Sequence, residues 1–145
     1  MRSVVAAGIA ALVAAIVLLA PAGAQEPTAE ARAAVRTVIE RQLDAFRRDD
    51  AADAFSYAAP SIRRLFQTSD RFIEMVRRGY APLTRSERPE FVRDRLTADG
   101  VFLQEVGFVG PDGKAWSAFY SLERQPDGEW RISGCVLKPA AGTSI

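Results

Sequence analysis

Residues 102–137, FLQEVGFVGPDGKAWSAFYSLERQPDGEWRISGCVL, decide the fold of this chain. Two Pro-Asp-Gly triplets, at residues 111–113 and 126–128, separate runs in which apolar and polar residues alternate. A short loop of this kind is typical of a β-hairpin, because glycine readily adopts the left-handed conformation that the loop needs. The stretch therefore predicts three antiparallel strands that form two hairpins around a shared middle strand.

The residues that flank each loop also predict a register. If they pair directly, every residue further along each strand has an assigned partner. The pairs on one face are Phe102 with Leu122, Gln104 with Tyr120, Val106 with Ala118, Phe108 with Trp116, Leu122 with Ile132 and Ala118 with Val136. That face is almost wholly apolar. The opposite face is mixed and carries Glu105, Ser117, Phe119, Ser121, Ser133, Cys135 and Leu137, with Glu123 across from Arg131 as an expected ion pair.

The part of the chain before residue 88 has the spacing of amphipathic helices. Thr28 and Asp50 are suited to cap helices, and Pro60 is suited to a first helical turn. The predicted helices cover about residues 29–48, 51–55, 60–66 and 69–79. Residues 88–96 predict the first strand of the sheet. We therefore predict an α+β fold, in which N-terminal helices pack on a curved antiparallel sheet of about four strands.

The composition excludes several kinds of chemistry. The 145 residues include no histidine and a single cysteine, Cys135, and the net charge is +1. Triads and dyads that need histidine, histidine-ligated metals and an internal disulfide are therefore ruled out within the chain. A domain that binds nucleic acid is usually more basic. We expect no cofactor, no metal site and no nucleic-acid partner.

Residues 1–24 have the pattern of a secretory signal peptide. Arg2 precedes an uninterrupted apolar run over residues 4–20, and Ala22-Gly23-Ala24 precedes the polar Gln25. We predict cleavage after Ala24, export to the periplasm or beyond the cell, and no membrane contact after cleavage. A retained membrane anchor is the alternative. The predicted organisation is a linker over residues 25–31, one domain over 32–140 and a tail over 141–145.

Three stretches carry a resemblance to a known family. They are residues 77–83 (RRGYAPL), 116–123 (WSAFYSLE) and 127–135 (DGEWRISGC). In them the chain resembles the domain of unknown function 4864 family, over about residues 32–142. That family occurs in bacterial proteins, often behind a signal peptide, and resembles the nuclear transport factor two-like group. The resemblance implies a cystatin or nuclear transport factor two-like cone, whose helices and curved sheet enclose a cavity, and it implies no particular activity.

Two polar residues stand out on the predicted apolar face. Gln104 and Tyr120 must find partners there or in water, and a ligand pocket is one place where such groups are kept. The alternative is that they hydrogen-bond to each other or to the backbone. The candidate ligand-pocket residues are Gln104, Tyr120, Tyr57, Tyr80, Trp116 and Phe102.

Three functions follow from these observations. The first is a non-catalytic module that binds a small apolar or amphipathic ligand, or a partner. The second is implied by the resemblance to the nuclear transport factor two-like group, whose relatives include isomerases and dehydratases: a cofactor-free enzyme of that kind that uses Asp or Glu with a tyrosine in the cavity, with no catalytic residue assigned. The third is a structural homodimer with a filled cone, joined through the outer sheet face. We expect Cys135 to be buried and inert, with redox chemistry or an intermolecular disulfide as alternatives.

Overall fold

The computed structural model describes residues 23–141. Within that range five helices precede four strands. The helices are α1 (Ala29–Arg47), α2 (Ala51–Ser56), α3 (Pro60–Phe66), α4 (Ser69–Gly79) and α5 (Ala81–Thr84), and the strands are β1 (Glu87–Leu96), β2 (Phe102–Val109), β3 (Ala115–Arg124) and β4 (Trp130–Pro139). The strands form one antiparallel sheet in the order β1-β2-β3-β4. The predicted α+β fold is confirmed.

Helices α1 and α2 begin directly after the predicted capping residues. The hydroxyl of Thr28 accepts a hydrogen bond from the Ala31 amide, and the carboxylate of Asp50 accepts one from the Asp53 amide. The sequence pattern does not predict the short helix α5, because Pro82 beyond Gly79 indicates only the end of α4. Proline is tolerated in the first turn of a helix, where its missing N–H would have no partner, and Pro82 occupies that position in α5.

Both hairpin loops have the predicted conformation. Gly113 and Gly128 adopt positive φ angles of 78° and 88°. A residue with a side chain would be strained in this conformation. Glu123 lies opposite Arg131 as predicted. The expected ion pair between them is replaced by one with the residue just before β4, because Nη1 of Arg131 lies 3.8 Å from a carboxylate oxygen of Glu129.

Strand β4 departs from the predicted register at a β-bulge. Leu122 pairs with Ile132 as predicted, whereas Ser121 pairs with Gly134. Ser133 is therefore an extra residue in β4, and its hydroxyl donates to that of Ser121 at 3.1 Å. An extra residue moves every following side chain to the opposite face of the sheet.

Because of the bulge, the predicted faces of three side chains in β4 are wrong. Cys135 and Leu137 pack against the helix-facing core, so their predicted place on the mixed outer face is wrong. Ala118 pairs with Leu137, not with Val136. Val136, predicted on the apolar inner face, is 54% exposed and lies on the outer face. The pairs predicted between β2 and β3 are all confirmed.

The residues predicted as an N-terminal linker belong to the domain. Gln25 and Leu96 exchange two backbone hydrogen bonds of 2.8 and 3.1 Å, which extends the edge of β1. The guanidinium of Arg32 binds the carboxylates of Glu26 and Asp94, so it ties this segment and α1 to β1. The predicted boundary at residue 32 falls inside α1. Residues 1–22, which contain almost all of the predicted signal peptide, and residues 142–145 lie outside the described range.

The core fills the space between the helices and the sheet. Ile39 and Leu43 of α1 and Phe102, Val106 and Leu122 of the sheet are fully buried there. The inner face of the sheet is therefore packed against helices, and its outer face is left uncovered by the described chain.

In residues 23–141, no helix combines the length and apolar character needed to cross a membrane.

Candidate functional site

Gln104 and Tyr120 lie side by side on the inner face, as the register predicted. Both are buried, with 5% and 2% of their surfaces exposed. The side-chain amide of Gln104 donates to the backbone carbonyls of Arg93 and Glu105, at 3.0 and 2.9 Å. The first of these carbonyls lies at an irregularity in β1, between Phe91 and Arg93. Gln104 thus finds its partners in the backbone and stabilises the pairing of β1 with β2.

The hydroxyl of Tyr120 is in a different situation. It is buried and makes no hydrogen bond to any part of the chain that the structure describes. Cys135 lies opposite Tyr120 on β4. Burial raises the pKa of Tyr120 well above 10.0, and burial raises the pKa of the Cys135 thiol to about 12. Both groups are protonated at neutral pH, which suits a buried structural pair and not a base or nucleophile.

Tyr57 and Tyr80 lie at separate places. The Tyr80 hydroxyl donates to the backbone carbonyl of Cys135 at 2.8 Å, and burial raises its pKa. Tyr57 lines a polar cleft beside α1 and α2, where burial and then the Asp53 carboxylate raise its pKa. That carboxylate binds Arg48 at 2.8 Å. An acid and base pair around Tyr57 would therefore have to compete with an existing ion pair.

The two remaining candidate residues are aromatic parts of the core. Phe102 is fully buried, and its ring meets that of Trp130 edge to face at 5.6 Å. Trp116 lies opposite Phe108 near the start of β3, and its indole nitrogen is buried without a partner in residues 23–141. The structure therefore brings Gln104, Tyr120 and Phe102 together in a packed layer, while Tyr57 lies apart from them.

A groove of about 600 Å³ lies on the outer face of the sheet. We call it the sheet groove. The residues of the outer face that line it come from all four strands and are Arg93, Arg95, Leu103, Glu105, Phe119, Ser121, Gly134 and Val136. Asp94, Gln104, Tyr120 and Cys135 also border it, and the side chains of Gln104 and Tyr120 are buried on the inner side. The sheet groove was not predicted as a site.

The β-bulge in β4 shapes this groove. It brings Val136 opposite Phe119 on the outer face, and it places Gly134 opposite Ser121. A Cβ atom at Gly134 would lie only 2.8 Å from the Ser121 hydroxyl, so any larger residue would push into the floor of the groove. The sequence signal that could have revealed this arrangement is Ser133-Gly134, because glycine inside a strand often marks a bulge.

The outer face carries most of the exposed large apolar side chains. Four such side chains occur in the described residues, and three of them, Val92, Phe119 and Val136, lie on this face with exposures of 55%, 38% and 54%. Val92 belongs to the same face because its Cγ2 lies 3.8 Å from where a Cβ of Gly107 would be. Apolar surface concentrated on one face marks an interaction site more often than apolar residues scattered singly.

Charged residues surround this apolar surface. Arg93 binds Glu105 through two guanidinium nitrogens, each 2.6 Å from the same carboxylate oxygen. Arg95 also lines the groove, and no carboxylate in residues 23–141 forms an ion pair with it. The Lys138 ammonium lies 6.0 Å from the centre of the Phe119 ring, where it interacts with the negative face of the ring. The groove is thus apolar in its floor and positive at its rim.

The described range contains no group of three or more cysteine, aspartate or glutamate side chains arranged to hold a metal ion. Comparison with curated proteins and with solved structures found no match. A family model described as Domain of unknown function (DUF4864) matches residues 28–145, which include all five helices and all four strands of the described range. The chain belongs to that family of domains of unknown function.

Proposed function

We propose that this chain is an exported, non-catalytic binding module that holds a small amphipathic ligand in the sheet groove. The observation that carries the proposal is an open groove of about 600 Å³ with an apolar floor and a positive rim. Ligand sites typically have volumes of about 300 to 1,000 Å³ and a mainly apolar lining with a few polar groups. We also propose that the fold is a nuclear transport factor two-like cone and that the ligand binds outside its packed interior.

The inner face supports this choice of surface. Gln104, Tyr120 and Phe102 are at most 5% exposed, so a ligand between sheet and helices would have to displace core side chains. Burying a large apolar side chain contributes about 1.5 to 3 kcal/mol, and displacing several would cost most of the stability of a domain of this size. The sheet groove needs no such rearrangement.

A neutral apolar probe, N-phenyl-1-naphthylamine, tests whether the groove binds ligands. Its fluorescence should rise saturably with the purified exported protein. Replacing Phe119 and Val136 together with serine should weaken binding at least tenfold, because both side chains lie in the groove floor. Leu65→Ser is the matched control, since Leu65 is 71% exposed on α3, away from the groove. Absence of binding, or equal loss in the control, would contradict the proposal.

A homodimer through the outer face is the second candidate. The observation that favours it is Val92, which is 55% exposed on the same face but does not line the groove. A four-stranded sheet face measures about 19 Å by about 30 Å, or roughly 600 Å², from standard strand dimensions. A standard interface buries about 800 Å² on each partner. The face alone is therefore small for a stable dimer. For this reason we prefer ligand binding to dimer formation as the proposed function.

Sedimentation velocity at micromolar concentrations separates these two candidates. A monomer that binds the probe supports the ligand proposal. A dimer that dissociates in the Phe119→Ser, Val136→Ser variant, and that excludes the probe, supports the second candidate instead. Val92→Ser adds a control, because it should weaken only the dimer.

Export rests on the signal-peptide pattern of residues 1–24 and on the position of Gln25, the first residue in the described range to hydrogen-bond to the domain. The intact mass of the protein recovered from the exported fraction should correspond to a chain that begins at Gln25. A membrane-bound chain that still begins at Met1 would favour the retained anchor.

A further inference from the structure

Alternation along β1 places two arginines on the outer face of the sheet. Arg93 lies opposite Glu105, and Arg95 lies opposite Leu103. Glu105 has only 13% of its side chain exposed and is engaged by Arg93. Arg95 is exposed and lines the groove without an ion-pair partner in the described chain. Within the groove lining, Arg95 is therefore the cation available to a ligand.

The charges of the groove select the kind of anion. Its outer-face side chains Arg93, Arg95 and Glu105 together carry a net charge of +1, which a monoanion neutralises. Asp94 also borders the groove, but its carboxylate is already bound by the Arg32 guanidinium at 2.8 Å. A dianion would leave an excess negative charge beside the poorly exposed Glu105 carboxylate. The planar guanidinium group matches a carboxylate through two parallel hydrogen bonds. The hydroxyls of Ser121 and Ser133 already bond to one another at 3.1 Å.

Resting on the proposed function, we propose that the ligand of the sheet groove is a monocarboxylate with an apolar body. The carboxylate binds the Arg95 guanidinium, and the apolar body lies along Leu103, Phe119 and Val136. These side chains occupy neighbouring positions on β2, β3 and β4, so the apolar floor runs across the sheet, away from β1 and its arginine. The groove can therefore bind the carboxylate and the apolar body of one amphipathic molecule at the same time.

Displacement of N-phenyl-1-naphthylamine by three matched compounds tests this inference. Decanoate, 1-decanol and decyltrimethylammonium share an apolar chain and differ in charge. Decanoate should displace the probe at about a tenfold lower concentration than decanol, because hydrogen bonds between charged groups are stronger than neutral ones. The cationic compound should be the weakest of the three. Added salt should weaken decanoate and leave decanol unchanged.

Arg95→Gln identifies the residue responsible. In this variant decanoate should lose its advantage and match decanol, while decanol and the probe itself keep their affinities. Arg64→Gln is the control, because Arg64 is an exposed arginine on α3 and does not line the groove. It should change none of the affinities.

The outcomes separate the inference from the proposed function. If decanoate and decanol bind equally in the unmodified protein, or if Arg95→Gln leaves the advantage of decanoate intact, the carboxylate inference is overturned and the apolar groove stands. If Arg95→Gln weakens decanol as much as decanoate, the stem of Arg95 contributes packing and its charge has no special role, which also overturns the inference. If the probe does not bind at all, the proposed function itself fails.

Discussion

The hydroxyl of Tyr80 donates a 2.8 Å hydrogen bond to the backbone carbonyl of Cys135. Tyr80 is the residue at which α4 ends and α5 begins, and Cys135 lies in β4 just beyond the bulge at Ser133. The bond therefore joins the helical layer to the last strand at the point where that strand changes register.

Tyr80→Phe tests the contribution of this bond to stability. The ring is kept and only the hydroxyl is lost, so the free energy of unfolding should fall by about 0.5 to 1.5 kcal/mol. Urea unfolding followed by circular dichroism gives the value. Tyr57→Phe is the matched control and should change stability by less than about 0.5 kcal/mol, because that tyrosine faces an open polar cleft. Equal effects of the two substitutions would contradict this assignment.

Gly134→Ala should destabilise the protein by about 1 to 3 kcal/mol, through overpacking. The added Cβ would lie 2.8 Å from the Ser121 hydroxyl, so either that hydroxyl must leave its hydrogen bond with Ser133 or the bulge must shift. Ser121→Ala should relieve the clash, and the double variant should be more stable than the sum of the two single changes predicts. Gly79→Ala is the control, since nothing lies within 4 Å of its added Cβ. Additive effects at Gly134 and Ser121 would show that the contact is unimportant.

The raised pKa of Cys135 predicts a loss of stability in alkali. The thiol ionises near its ordinary value of 9.0 in the unfolded chain but near 12 in the folded one. Between these pH values the unfolded state binds fewer protons, so the free energy of unfolding falls as pH rises, by at most about 1.4 kcal/mol per pH unit. The contribution is fully present below pH 9. Denaturant unfolding of the protein and of Cys135→Ala between pH 8 and pH 11 measures it, and identical pH profiles would contradict it.

The sequence predicts the part of the fold that local rules determine. The register of β2 and β3 follows from one short loop, and Phe102, Gln104, Val106 and Phe108 all have their predicted partners. The helix starts follow from capping residues, since a cap acts within one turn. These features need no knowledge of the rest of the molecule.

The bulge in β4 shows where the sequence prediction ends. A single unpaired residue, Ser133, reverses the faces of Cys135 and Val136, and alternation alone cannot reveal which residue of a strand is left unpaired. The sheet groove depends on that reversal, and its proposed anion site depends on Arg95 having no ion-pair partner in the described chain. Both are tertiary properties. Gln104 illustrates the same limit, because its partners are carbonyls of β1 and β2 and not the facing Tyr120.

Tyr120→Phe distinguishes a buried structural residue from one that contacts a ligand. The Tyr120 hydroxyl is buried without a hydrogen bond in residues 23–141, and a buried polar group without a partner costs about 1 to 3 kcal/mol. Removing the hydroxyl while keeping the ring should therefore leave stability unchanged or raise it by about 1 kcal/mol. Gln104→Leu should act in the opposite direction, because it removes the donor for two backbone carbonyls. Probe binding in the sheet groove should not change in Tyr120→Phe. A lower unfolding midpoint would mean that the hydroxyl has a partner in solution, and a loss of probe affinity at unchanged stability would move the ligand site to the inner face of the sheet.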